Sequence, residues 1–299
     1  MLYRLVNDKK QSAWQVEYER LYDREFDGKI KNITKDEIGL LGAKDALWIM
    51  HYEDQLLPEV VKCPAFKFAQ ANGTASNPYC YQVDKDAELS AIRNSLSCVL
   101  VFNPRMQKLM QETYPEGYFE AVGFPVEIDD RYKGMIKERK IVVAGRISPD
   151  KQFYLASYLL EPFAKDYKIV FCLTPGQEKW LDLYHPAWFP WIEFKQCDHD
   201  KFLLELATAE FYFTCSLGDT GSVSLTEALL CGCYPVVPRF KKHPVYSAYV
   251  SQGYEPFSAN SVKYLINRKP KCNWDYQWSH PTACANRLKF VLDKNGVDI

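Results

Sequence analysis

A chain of 299 residues is long enough for two ordinary domains. Its composition, 47% hydrophobic and 25% charged, excludes disordered and fibrous classes and fits a globular protein with cores to bury. The formal net charge of -1 argues neither for nor against nucleic acid, so any basic surface has to be local.

The first residues, MLYRLVNDKKQSAW, lack the charged-then-apolar pattern of a signal peptide, and no apolar run reaches the length of a membrane span. The expectation is a soluble cytoplasmic protein. Ten cysteines are present with no Cys-x-x-Cys pair, and several sit in apolar runs such as IVFCL and FYFTC. They read as buried reduced thiols, which favours an intracellular compartment. Cys231 and Cys233 flank Gly232, but no His/Cys pair at ligand spacing accompanies them, and no metal is expected.

In chain order, short apolar runs alternate with helix-period stretches, the pattern of an α/β protein with parallel sheets. Strands are expected at Leu2–Val6, Lys29–Ile33, Ala46–Met50, Phe66–Gln70, Ser97–Phe102 and Phe119–Val122. Helices are expected at Ser12–Asp23, Lys35–Gly42, Lys85–Leu96 and Pro104–Tyr114, the last with Asn103 as N-cap and Pro104 in the first turn. The polar stretch EIDDRYKGMIKERK then reads as a linker. A second α/β unit begins with IVVAG at Ile141 and a helix that runs through Phe163. Its further strands are expected at Lys168–Leu173, Trp191–Phe194, Glu210–Cys215 and Tyr234–Val237. The division is a first domain at 1–127, a linker at 128–140, a second domain at 141–270, and a segment at 271–299 whose helix packs back on the first domain. Two such halves suggest a ligand cleft between them, lined by loops after the strands.

Two loops carry the chemistry. FYFTCSLGDTGSVSLTEALLCGCYPVVP places a Gly-containing loop between a strand and a helix that ends at Gly232. Gly218 and Gly221 permit a tight turn, and the amides around Ser222 and Val223 lie at a helix N-terminus, an arrangement that favours a phosphate. Asp219 and Glu227, with seven residues between them, can face one ligand, one acid towards a sugar and the other towards a ribose. Equally, Asp219 reads as a turn residue and Glu227 as a solvated helix acid. In AGRISPDKQ, Arg146 and Lys151 follow the first strand of the second half. Two cations there suit a diphosphate and a departing nucleoside diphosphate, the alternative being ordinary surface charges.

Together these segments resemble the donor-binding domain of retaining GT-B glycosyltransferases, family 4 in particular. VVAGRISPDKQ is similar to that family's Gly-Arg…Lys loop, and FCLTPGQ to the strand and Gly-turn that follow. IEFKQCDHDKFLLELATAEFYFTCS is similar to the strand, helix and strand before the signature. DTGSVSLTE matches the Glu-x7-Glu motif with Asp219 in place of the first Glu, and EALLCGCYPVV matches the helix and strand after it. The likeness covers about residues 100–240.

The resemblance implies a GT-B fold, two Rossmann-like α/β domains facing across a cleft, with a UDP-sugar as donor substrate and no cofactor or metal. Arg146 and Lys151 would hold the diphosphate beside the Gly221, Ser222 and Val223 amides. Glu227 would bind the ribose hydroxyls, Asp219 would contact the transferred sugar, and the Lys195–Asp198 region would sit near the base. In the first half, His51 follows a buried strand where family members often carry a histidine near the reacting sugar. Glu53 and Asp54 could orient or deprotonate an acceptor hydroxyl. His51 reads as well as a packing residue, and Asn72–Gly73 is also a plain turn signal. NDKKQSAW departs from the family's Gly-Gly loop after the first strand.

Three basic-aromatic segments bear on the acceptor: Asp8–Trp14 with Lys10 and Trp14, Arg239–Tyr246 with Lys241 and Lys242, and Ile266–Trp278. Such interleaving suits a phosphate backbone with exposed bases, and equally a set of solvated loops with inward aromatics. These segments and the missing Gly-Gly loop are similar to tailed-phage enzymes that transfer glucose or arabinose to hydroxymethylated cytosine. That resemblance implies double-stranded DNA as the acceptor, in the host cytoplasm, with a base leaving the stack. Asn72 and Gly73 would add to that acceptor side. The competing readings are a transferase acting on a surface glycan or small molecule, and a non-catalytic nucleotide-sugar module. The resemblance implies retention; a true base at Glu53 or Asp54 would allow inversion.

Overall fold

The computed structural model describes residues 1–6, 13–50, 52–71, 85–145, 147–148, 151–177, 181, 186–216, 222–239, 253–270, 272, 274–297 and 299. The side chains of residues 13–15, 52, 53, 85 and 88 stand outside the description. The chain divides into two compact units, one formed by Met1–Val126 with Tyr276–Ile299 and the other by Glu127–Asp275.

The first unit runs β1 (Leu2–Leu5), α1 (Ala13–Glu25), β2 (Ile30–Ile33), β3 (Ala46–Ile49), α2 (Pro58–Lys62), β4 (Phe66–Gln70), α3 (Lys85–Asn94), β5 (Cys98–Val101), α4 (Pro104–Thr113) and β6 (Phe119–Ala121). All its pairings are parallel, in the order β2-β1-β3-β4-β5-β6. β3 (ALWI) and β5 (CVLV) are buried at every position, as apolar runs must be in a parallel sheet covered on both faces. Asn103 caps α4, its side chain accepting from the Met106 amide at 2.9 Å, and Pro104 occupies the first turn. The stretch expected as a helix from Lys35 is a 3-10 helix over Lys35–Leu40, fixed by a capping box between Thr34 and Glu37.

The second unit runs β7 (Glu138–Gly145), α5 (Phe153–Leu160), β8 (Lys168–Leu173), β9 (Ile192–Gln196), α6 (His199–Thr208), β10 (Ala209–Phe213), α7 (Val223–Leu230), β11 (Tyr234–Val236) and α8 (Ala259–Arg268). Its sheet is again parallel, in the order β11-β10-β7-β8-β9. Ile141, Val143, Phe171, Phe211 and Phe213 pack one face against Phe153 and Leu160 of α5 and Val262 and Leu265 of α8. α6 and α7 bury Leu203, Leu206, Leu225 and Ala228. β7 begins at Glu138, inside the segment expected as linker. Ile128, Tyr132 and Lys140 of that segment are buried. Lys140 tolerates burial because its ammonium meets Glu205 at 2.9 Å and the Thr208 hydroxyl.

The final helix, α9 (Pro281–Lys294), packs on α1, so the first unit is discontinuous in sequence. Its anchor is the chain after β6. The Phe124 and Val126 amides donate to the Trp278 and Ser279 carbonyls at 3.0 and 2.9 Å, and Arg287 Nε donates to the Val122 carbonyl at 3.2 Å. Gly123 sits between them with φ +98°. A Cβ at that position would lie 2.7 Å from Cys284 Sγ and collide with the Trp278 carbonyl, so only glycine serves there.

Eight described cysteines, at 63, 98, 172, 197, 215, 231, 233 and 284, are buried, and Cys272 is exposed. Burial pushes the Cys231 thiol up to about 12 and the Cys233 thiol up to about 11. Both donate to backbone carbonyls, Cys231 to Leu203 at 3.9 Å and Cys233 to Leu206 at 3.1 Å. They are packing thiols of the α6–α7 side.

Candidate functional site

In each sheet the strand order reverses at one place: between β1 and β3 in the first unit, and between β7 and β10 in the second. The loops leaving two such strands diverge to opposite faces, and open α/β sheets bind ligands outside the carboxyl ends of the strands at this point. The loops after β7 and β10 are the two that the sequence marks.

At the end of β7, Gly145 adopts φ +141°, a conformation that L side chains rarely take, and the chain turns towards Lys151. Lys151 Nζ donates to Ser216 Oγ at 3.1 Å, joining the loop after β7 to the loop after β10. Ser216 is buried and held by its own amide, which donates to Thr214 Oγ1 at 3.0 Å. Behind this loop, Tyr254 stacks on Phe213 at 5.4 Å, and its hydroxyl donates to the Thr214 carbonyl at 2.8 Å. The loop after β8 joins as well, since the Ile147 amide donates to Gln177 Oε1 at 3.2 Å.

α7 opens beside these loops. Ser222 is its N-cap, its hydroxyl accepting from the Leu225 amide at 3.3 Å, and Val223 is the first helical residue. Glu227 follows one turn later with a side chain only 7% exposed. This corrects the alternative that Glu227 is a solvated helix acid. The buried carboxylate accepts from His199 Nε2 at 2.6 Å, across from the first residue of α6. The distant ends of α6 and α7 are tied together by Lys137, whose ammonium donates to the carbonyls of Cys231 (2.6 Å), Ala207 (2.9 Å) and Leu206 (3.3 Å). A cation at two helix C-termini satisfies carbonyls that have no partner within the helix.

Lys195 stands differently. Its ammonium is 2.5 Å from Glu205 and 3.4 Å from Glu193, and Glu205 also holds Lys140. The hydrogen bond to Glu205 raises the Lys195 pKa above the usual lysine value, partly opposed by burial. Burial alone would raise the Glu205 carboxyl, but hydrogen bonds from Lys195 and Lys140 hold it below the usual value. The Lys195 side chain is engaged in a charge network within its own unit.

In the first unit, Asp54 is buried on the 3-10 helix Tyr52–Leu56 that follows β3, and Glu53 shares that turn. Trp14 lies in the first turn of α1. His51, Asn72, Gly73, Lys10, Arg146, Asp219, Gly221, Lys241 and Lys242 lie outside the described residues. Of the third basic-aromatic segment, Ile266 is buried, Arg268 stacks on Tyr264 and Arg287 covers Trp278. Lys269 pairs with Glu210 at 2.7 Å. These residues are engaged within their own units. His199, Ser216 and Gln177 belong to the candidate site and were not singled out by the sequence; Ser216 stands directly after the expected strand Glu210–Cys215, the one signal that could have marked it.

No family model matches this sequence, and no curated protein does. Solved structures match. The S. aureus protein TarM, in complex with Fondaparinux, alpha-GlcNAc-glycerol and UDP, gives a TM-score of 0.64 at 14% identity over 87% of this chain and 56% of that one. The pneumococcal O-GlcNAc transferase GtfA, with UDP and GlcNAc, gives 0.60 at 13% identity over 88% and 60%. Sucrose-phosphate synthase from Thermosynechococcus elongatus gives 0.57 at 12% identity over 84% and 71%. The chain has the GT-B fold. It comprises two parallel-sheet α/β domains and spans little more than half the length of the TarM chains it matches, 53% and 56%. Among the described residues, no helix is long and apolar enough to cross a membrane.

Proposed function

We propose that the chain is a glycosyltransferase that moves a sugar from a UDP-sugar to an acceptor hydroxyl. The observation that carries this reading is the reversal point of the second sheet. There, Lys151 meets Ser216 and a Ser-capped helix N-terminus leads to a buried, hydrogen-bonded Glu227. Positive potential from an ammonium and a helix N-terminus suits a diphosphate. A desolvated carboxylate one turn away suits a pair of vicinal hydroxyls.

In the reaction, the bond between the sugar's anomeric carbon and the β-phosphate oxygen breaks, and UDP leaves with the electron pair. Lys151, with Arg146 as its sequence partner, would stabilise the developing charge, so the reading calls for no metal or other cofactor. The acceptor oxygen bonds the anomeric carbon and passes its proton to the departing phosphate or, for a true base on the acceptor side, to the carboxylate of Glu53 or Asp54. Asp219 is assigned to the transferred sugar, and His51, Glu53 and Asp54 to the acceptor side.

The family-4 affinity, and hydroxymethylated cytosine in DNA as the acceptor, rest on the sequence resemblance alone and are part of the proposal. The experiment is titration and turnover with a UDP-sugar panel, with hydroxymethylated duplex DNA and small glycans as acceptors. We expect UDP release and sugar transfer by the wild type, both lost in Lys151→Ala with its fold retained. Binding without UDP release would identify a non-catalytic module. Transfer to glycans and not to DNA from every donor would remove the DNA acceptor.

A further inference from the structure

β8 ends at Leu173, beside Gly145 of β7 in the parallel register, so the loops after these two strands leave the sheet side by side. The residues after β8 are Thr174, Pro175, Gly176 and Gln177. Proline at the second position and glycine at the third are what a type II turn asks for, the one fixing a negative φ and the other supplying a positive one. Gly176 has φ +85° with open space where a Cβ would stand, so the backbone angle alone calls for glycine. The Gln177 amide closes the turn by donating to the Thr174 carbonyl at 3.2 Å. The turn therefore delivers Gln177 to a fixed place at the carboxyl edge of the sheet.

From there its side chain reaches the neighbouring loop: Gln177 Oε1 accepts from the Ile147 amide at 3.2 Å. That amide belongs to the residue directly after Arg146 and four before Lys151. Ile147 also packs its side chain on the core of the second unit, and the Lys151 amide donates to the Ser148 carbonyl at 3.0 Å. The loop after β7 is thus held near its start by Gln177 and at its end by this turn and the Lys151–Ser216 bond. A carboxylate at position 177 would accept from the same amide, but it would set a negative charge beside a bound diphosphate. A carboxamide accepts the bond without that charge.

We propose that Gln177 is a positioning residue of the diphosphate subsite, its neutral carboxamide holding the loop after β7 so that the cations of that loop meet the donor's phosphates. This rests on the reading of the second unit as a UDP-sugar site. It predicts two separable effects on the diphosphate, one from losing the hold and one from adding charge, and neither touches the nucleoside.

The test is calorimetry with UDP and uridine at 0.01 M and 1 M salt, concentrations that bracket screening lengths of about 30 Å and about 3 Å. It compares the wild type, Gln177→Met and Gln177→Glu, each checked for fold by circular dichroism. Gln177→Met removes the acceptor at similar length and should weaken UDP by about 2–12-fold relative to the wild type at both salt concentrations, the value of one net hydrogen bond. Gln177→Glu keeps the acceptor and adds a charge, and should weaken UDP by about fivefold at low salt and by less than about twofold at high salt. Uridine affinity should hold in both variants. A loss shared equally by UDP and uridine would mark a merely structural glutamine and overturn the proposal. A Gln177→Met that binds UDP as the wild type does, or a Gln177→Glu with no salt-dependent loss, would overturn it too. In each of these cases a wild type that binds UDP leaves the donor site standing. A folded wild type that binds no UDP sinks both.

Discussion

Lys151 Nζ donates to Ser216 Oγ at 3.1 Å, so one hydrogen bond joins the two loops that diverge where the second sheet reverses its strand order. An ammonium at this point of the proposed donor site suits an anionic diphosphate. Lys151→Met should therefore weaken UDP by about 10–150-fold, the range for a hydrogen bond to a charged group, and uridine by far less. Ser216→Ala, which leaves the charge and loosens its aim, should cost UDP only a few-fold. Calorimetry with the two ligands separates these outcomes; equal losses for UDP and uridine would place Lys151 away from the phosphates.

Glu205 is the hub for Lys140 and Lys195, and its titration gives the second prediction. Its carboxyl is held below the usual value, so its contribution to stability is present above the unfolded carboxyl pKa of about 4.3 and is lost as pH falls through the folded value. Lys195 is raised, so its contribution is present below about 10.4 and is lost as pH rises through the folded value. Urea midpoints of the wild type should fall in acid below about pH 4 and in alkali above about pH 10. Glu205→Gln should lower the plateau and flatten both limbs. An unchanged acid limb would show that Glu205 is not held by its lysines in solution.

Lys137→Met removes the donor shared by the last carbonyls of α6 and the cap of α7. The expected loss is about 1.5–3 kcal/mol, read as a drop in thermal midpoint of about 2–4 °C per kcal/mol. Since the same helices carry His199 and Glu227 at their other ends, UDP affinity should fall together with stability. A destabilised variant with wild-type affinity would show that the site does not depend on this clamp.

Gly123→Ala places a methyl group against the Trp278 carbonyl and Cys284 Sγ at a φ of +98°. Strain and overpacking together should cost about 2–6 kcal/mol. Limited proteolysis should then cut near 276–299 before any other described segment. A wild-type digestion pattern would mean that α9 is held mainly by other contacts.

The strands were legible because a parallel sheet buried on both faces needs continuous apolar runs, and ALWI, CVLV and IVVAG are such runs. Asn103–Pro104 announced its helix by cap chemistry, which is local. The contacts between helices were not legible. A histidine after Asp198 reads as an ordinary helix start, and its bond to Glu227 depends on how α6 and α7 lie side by side. The charged stretch before Ile141 read as linker because lysine usually seeks water. Lys140 is buried only because Glu205 and Thr208, more than 60 residues later, provide its partners.

The anchoring of Trp278 and α9 beside Gly123 also sets an order of assembly during synthesis. A ribosome releases Glu127–Asp275 as one uninterrupted stretch, able to close its own sheet as soon as it emerges. The unit translated earlier must wait, with the α1 face that receives α9 uncovered, until residues 276–299 follow. Chaperone demand should therefore concentrate on the amino-terminal sheet, although its strands are made first.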